Sequence, residues 1–131
     1  MSRTFVYYGL FLALLGALAN CTGTSSSSGA SEVAITGEDT QSVGNLCAIK
    51  GHATNVGNLR VNVSISYEAQ NAAGVAIGTS TAFFQIAAFS NFDFGPTQSN
   101  DQGQPSSGTF SNNLSCSAIA SFRRTNLDVT H

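Results

Sequence analysis

The segment LRVNVSISYE, Leu59 to Glu68, constrains this chain more than any other. Leu59, Val61, Val63, Ile65 and Tyr67 alternate with Arg60, Asn62, Ser64, Ser66 and Glu68. A period of two over this length puts every apolar side chain on one face of an extended strand and every polar one on the other. β-branched residues supply much of the apolar face, which suits a pleated, half-buried surface. The spacing predicts a strand with one wet face, and such a strand needs neighbours to pair with and a second layer to cover it.

The flanking sequence supplies them. LCAIKGHA, Leu46 to Ala53, reads as a shorter strand, with a turn at Asn55-Val56-Gly57-Asn58. AQNAAG is a second turn. VAIGTSTAFFQIAAF, Val75 to Phe89, reads as a strand pair or one long bent strand, with Gly78 as a bulge. SNFDFG follows as a short strand at the level of Phe92 and Phe94. Pro96 to Gly108 has no periodicity and holds both prolines, so it is a loop, and its length marks it as mobile or functional. Ser115 to Arg124 is the last expected strand, and no segment behind the leader has a convincing helical stripe. The expected fold is an all-β, antiparallel sandwich over residues 33–131, and the family resemblance described below makes it immunoglobulin-like.

Residues 1–20 read as a signal peptide. Arg3 gives a short positive start, and Phe5 to Ala19 is uncharged and mainly apolar. That run is shorter than the roughly 20 residues of a membrane span, and it fits a secretory h-region. Two cleavage sites compete. Leu18-Ala19-Asn20-Cys21 resembles a bacterial lipobox, which would lipidate Cys21 and cut before it. Ala17-Leu18-Ala19 is an A-x-A site, which would leave Asn20 as the first residue. Cysteine arithmetic bears on the choice. The chain has 3 cysteines, and an exported chain with an odd count leaves one thiol unpaired. Lipidation of Cys21 removes the odd one and leaves Cys47 and Cys116 to form a disulfide, the alternative being two buried free thiols. Residues 21–32, rich in Ser and Gly, have the composition of a flexible linker. With no aspartate after Cys21, the resemblance implies outer-membrane retention in a Gram-negative host. Asn20, Asn62 and Asn113 also sit in N-x-[ST] acceptor patterns, which matter only in a host that glycosylates them.

Charge narrows the function classes. Only 9% of residues are charged and the net charge is −2. There is no basic stripe, which argues against a nucleic-acid binder. Arg123-Arg124 reads as a solvated strand end. His52 lies near Cys47, but zinc needs three or four ligands. His52 is therefore read as a surface histidine at a strand end, and no metal or other cofactor is expected. No G-x-S-x-G surrounds the many serines, and with 2 histidines in the chain a Ser-His-Asp triad has little to draw on. Glu38 and Asp39 are placed in the probable linker, Glu68 on the polar face beside a turn, and the other acids are read as solvated charges. GVAIG, Gly74 to Gly78, has no following helix to make a phosphate site. The expectation is a non-catalytic protein.

The stretch IKGHATNVGNLRVNVSISYEAQNAAGVAIGTSTAFF, Ile49 to Phe84, resembles the FxLYD domains of prokaryotic surface proteins and lipoproteins. Gly51, Asn55, the Leu59–Tyr67 alternation, Gly74, Ile77-Gly78-Thr79 and the later Phe92 and Phe94 carry the resemblance. Val63-Ser64-Ile65 stands where that family has Phe-x-Leu. The resemblance implies an immunoglobulin-like extracytoplasmic module without assigned catalysis.

Aromatic residues are the mild surplus: Phe83, Phe84, Phe89, Phe92 and Phe94 cluster. Core filling is one reading. A recognition patch at Phe83, Phe84 and Phe89 is the other, because adjacent Phe83 and Phe84 point to opposite faces of a strand. The functional expectation is a membrane-tethered envelope module, anchored by lipid on Cys21, that binds or scaffolds envelope components, including a protein partner. The alternatives are an envelope carrier of a small apolar ligand lined by the Phe-rich strands, or a secreted soluble β-sandwich.

Overall fold

The structure, a computed structural model, describes residues 32–131. Cys21, both cleavage sites and the leader lie outside the described residues. Six strands follow in order: β1 (Val33–Val43), β2 (Leu46–Asn55), β3 (Val61–Gln70), β4 (Ala76–Ile86), β5 (Asn91–Phe94) and β6 (Ser121–Thr130), with a 3₁₀ turn at Cys116–Ala118 before the last. They form two three-stranded antiparallel sheets, sheet I in the order β1-β2-β5 and sheet II in the order β4-β3-β6. The chain is an all-β sandwich, as the alternation predicts.

β3 is the centre of sheet II, and its apolar residues do what the pattern demands. Val61, Val63, Ile65, Tyr67 and Ala69 are buried, while the residues between them are half-buried. They meet Cys47, Ile49, Ala53 and Phe94 of sheet I in one core. The disulfide is present: Cys47 in β2 is bonded to Cys116, closing a separation of 69 residues.

Several expectations need correction. β3 runs 61–70 rather than 59–68. Leu59 falls in the β2–β3 turn, where Asn55 holds the chain, and is 53% exposed. β2 extends two residues further than expected, to Asn55. The 75–89 stretch holds a single strand, β4, which stops at Ile86 and leaves Phe89 in the turn to β5, and its bulge lies at Ile77, between the pairs Ala69–Gly78 and Gln70–Ala76. Gly78 itself is needed for close approach, since a Cβ there would stand 2.7 Å from the Ser111 carbonyl oxygen and from Leu114.

Glu38 and Asp39 belong to β1 and not to a linker. Their strand was hidden because a bulge at Gly37-Glu38 shifts its parity, with Thr36 paired to His52 and Asp39 to Lys50. Gly37 takes φ 63°, which a glycine supplies without penalty. The last strand is displaced in the same way. Cys116 sits in a turn, and β6 begins at Ser121. Its alternation breaks at Thr125, because Tyr67 pairs with Arg124 while Ser66 pairs with Asn126. Phe122 and Arg124 thus share a face with Leu127 and Val129, although the spacing in sequence says otherwise.

Candidate functional site

The outer face of sheet I carries a cleft of about 260 Å³. Its position follows from strand parity. A Cβ on Gly51 would stand 2.4 Å from Phe94 Cζ, so Gly51 faces the core and leaves the space that the buried Phe94 ring fills. The neighbours of Gly51, Lys50 and His52, therefore point outward. β5 pairs Asp93 directly with His52, and the imidazole Nδ1 lies 2.5 Å from Asp93 Oδ1. β1 adds Gly37 at its bulge and Gln41, and the chain after β5 adds Gly95, Thr97 and Gln98. A Cβ on Gly95 would meet Lys50 Cβ at 3.3 Å and Gln41 Oε1 at 3.5 Å. The glycine keeps that side of the cleft open.

The loop that supplies Thr97 and Gln98 is fastened. Ser106 Oγ donates to the Gly95 carbonyl and accepts from the Gly95 N–H, both at 2.9 Å. Ser107 Oγ donates to the Ile49 carbonyl at 2.6 Å. Both serines are buried. The Asn100 side chain donates to the Phe83 carbonyl at 3.0 Å and accepts from Gln102 and Gln104 N–H groups. The 96–108 segment is a loop, as expected, but one pinned across both sheets.

Chemically, the cleft offers an ammonium, an imidazole fixed by a carboxylate, and two amides. A His–Asp pair of this kind orients the base in nucleophilic hydrolases. The one side-chain hydroxyl lining the cleft is that of Thr97, and no serine or cysteine lines it. Its volume falls just below the roughly 300 Å³ at which enclosed small-molecule sites begin, so it suits a sugar ring or a single side chain of a larger partner. His52 was expected at a strand end. It sits within β2, where pairing with β5 puts Asp93 across from it, and 41 residues of sequence separate the two.

A second polar cluster closes the side of the sandwich where β1 meets β6. Arg124 donates through Nε and Nη2 to the Glu38 carboxylate at 3.2 and 2.7 Å. This pairing holds Arg124 further above its usual range. Tyr67 pairs with Arg124 across β3 and β6. Its hydroxyl is buried and finds no hydrogen-bond partner among the described residues. Burial first, and then the Glu38 carboxylate, push the Tyr67 phenol well above its ordinary value. Arg123 goes to Glu68 at 3.2 Å. Hydrogen bonds from Gln70 and Arg123 hold the Glu68 carboxyl below its ordinary value. The arginine pair is thus two ion pairs along β6 and not a solvated strand end. The bulge at Thr125 that turns Arg124 toward Glu38 leaves no mark in the sequence.

The aromatic residues separate. Phe84 is buried and stacks on Phe92 and Phe94, with ring centroids 5.0 and 4.9 Å apart. It belongs to the core and is withdrawn from any surface patch, because β4 turns it inward opposite Val63. Phe83 is 41% and Phe89 73% exposed. Phe83 stands beside the pinned loop, and Phe89 in the β4–β5 turn. Among the described residues no three His, Cys, Asp or Glu side chains stand together as a metal site would require. No helix among them is long and apolar enough to cross a membrane. Compared with family models, curated proteins and solved structures, the chain matches none.

Proposed function

We propose that this chain is an extracytoplasmic lipoprotein module, tethered to a membrane through lipid on Cys21, and that it binds a polar group of an envelope component in the cleft on sheet I without transforming it. The observation that carries the binding role is the cleft itself. Lys50, His52, Gln41 and Gln98 ring a space of about 260 Å³, with His52 already fixed by Asp93. The lipobox-like Leu18–Cys21, the linker behind it and the pairing of Cys47 with Cys116 support the tether, since the disulfide leaves Cys21 as the odd cysteine. The resemblance of Ile49–Phe84 to FxLYD domains points the same way.

The carrier reading has less support. The rings that would line an apolar pocket, those of Phe84, Phe92 and Phe94, are stacked on one another. The secreted reading differs only in the fate of Cys21.

The binding role is tested by thermal-shift titration of the full chain with soluble envelope saccharides and short peptides, beside Lys50→Ala and His52→Ala. The expected result is a saturable stabilisation that falls at least tenfold in affinity in either variant. Stabilisation equal in all three proteins would place binding elsewhere. Turnover of a ligand that stops in His52→Ala would make the cleft an active site.

A further inference from the structure

One end of the sandwich carries a cap of exposed apolar side chains that the cleft does not use. Val56 and Leu59, in the β2–β3 connection, are 62% and 53% exposed, and Phe89, in the β4–β5 connection, is 73% exposed. Single exposed apolar residues are ordinary; a group of them held together is not. These are held together. The buried Asn55 side chain donates to the Leu59 carbonyl at 2.8 Å and the Ala87 carbonyl at 3.2 Å, and accepts from the Gly57 N–H at 2.9 Å. Phe89 N–H donates to the Gly57 carbonyl at 3.1 Å, and Asn55 N–H to the Ser90 carbonyl at 2.8 Å. Phe89 is kept at φ 54°, a left-handed conformation unusual for a bulky residue, with its ring in solvent.

The chain also enters the sandwich at this end. Val33 pairs with Asn55, and Val56 N–H donates to the Glu32 carbonyl at 2.9 Å. Everything upstream of Glu32, including Cys21 and the apolar leader, therefore leaves from beside the apolar cap. A Ser/Gly-rich linker about ten residues long has a root-mean-square span of roughly 17 Å. On the tethered reading, that linker keeps this end, and not the opposite one, near the lipid surface. Arg60, next to Leu59, is paired with Asp101 of the 96–108 loop, and its side chain is 59% exposed at the edge of the cap.

We infer that Val56, Leu59 and Phe89 form a tip that dips into the lipid interface, so that the sandwich stands end-on to its own membrane. The inference rests on the tether proposed above and adds an orientation to it. At about 3.3 Å per strand residue, His52 and Lys50 on β2 sit roughly 10 and 16 Å above Asn55. The cleft then opens sideways, close to the membrane surface, toward components lying along it.

The chain has no tryptophan, so Phe89→Trp supplies a single indole at the tip. Val75→Trp supplies one in the β3–β4 turn at the other end, where Val75 is 57% exposed. Each full-length chain, processed in its host, is reconstituted into phosphatidylcholine vesicles with and without brominated acyl chains. Brominated lipid is expected to quench the indole of Phe89→Trp at least twofold and to leave that of Val75→Trp unchanged. Chains that float with the vesicles but show no quenching at position 89, or equal quenching at both positions, overturn the tip and leave the tether standing. Emission at position 89 that follows protein density instead of bromination assigns the tip to a second copy and overturns the lipid occupant. Chains that do not float overturn the tether, and the tip with it.

Discussion

Tyr67 is the residue at which the core and the polar rim meet. Its ring completes the apolar face of β3, lying edge-on to Phe122 with centroids 6.2 Å apart, while its hydroxyl is buried with no hydrogen-bond partner among the described residues. An unpartnered hydroxyl adds little stability, so Tyr67→Phe is expected to change unfolding free energy by less than about 1 kcal/mol at neutral pH. The pH dependence is more telling. The folded pKa is raised, so the folded state holds the phenolic proton longer than the unfolded chain does. The associated stability is complete below the unfolded value of about 10 and is lost as pH rises above it. Tyr67 is the sole tyrosine beyond the leader. In the processed chain, tyrosinate absorbance should appear only with unfolding, and Tyr67→Phe should resist alkali better. Reversible tyrosinate formation near pH 10 in the folded chain would contradict this. Gly51 is a second such residue. Gly51→Ala forces the buried Phe94 ring aside and should cost about 1–3 kcal/mol, read from denaturant midpoints. Tyr67 as a core residue was legible in the alternation. The Glu38 and Arg124 groups near it were not, because each lies beside a bulge that conceals which way the side chain points.

At the scale of elements, the disulfide ties β2 to the turn that launches β6. The cysteine count pairs Cys47 with Cys116, and in the sequence both fall within expected strands, Leu46–Ala53 and Ser115–Arg124. The pairing holds although Cys116 is not in a strand at all. Phe110 N–H donates to the Cys47 carbonyl at 2.8 Å, and Cys47 N–H to the Leu114 carbonyl at 2.9 Å, so the 109–116 segment is laid along β2 before the bridge closes. For a loop of this length, loss of the bridge in Cys47→Ser/Cys116→Ser should lower stability by about 4 kcal/mol in the chain-entropy picture, read from urea unfolding. A loss below about 1 kcal/mol would mean that those backbone hydrogen bonds, and not the bridge, hold the segment. The regular strands were readable because their periodicity is unbroken. β1 goes unread and β6 is expected too early, because a single extra residue in each resets the alternation, and register is a property of two strands, not one.

At the scale of the molecule, two ends and one face differ in character. Sheet I presents a polar cleft to solvent, and the end at which the chain enters presents apolar side chains. The sequence contains His52, Asp93 and Lys50, but nothing in their order says that they meet. That needs β5 folded back on β2, and the β5 segment is short and weakly patterned. Export and tethering rest on the leader and Cys21, the cleft rests on the sandwich, and one covalent question joins the two: what Cys21 carries. Intact mass and N-terminal analysis of the chain from its host's membrane fraction answers it. For a tethered module the expected chain begins at Cys21, carries added acyl mass, and is lighter by the two hydrogens of the Cys47–Cys116 bridge. A chain that begins at Asn20 without lipid would contradict it and leave a secreted sandwich with a free thiol near its end.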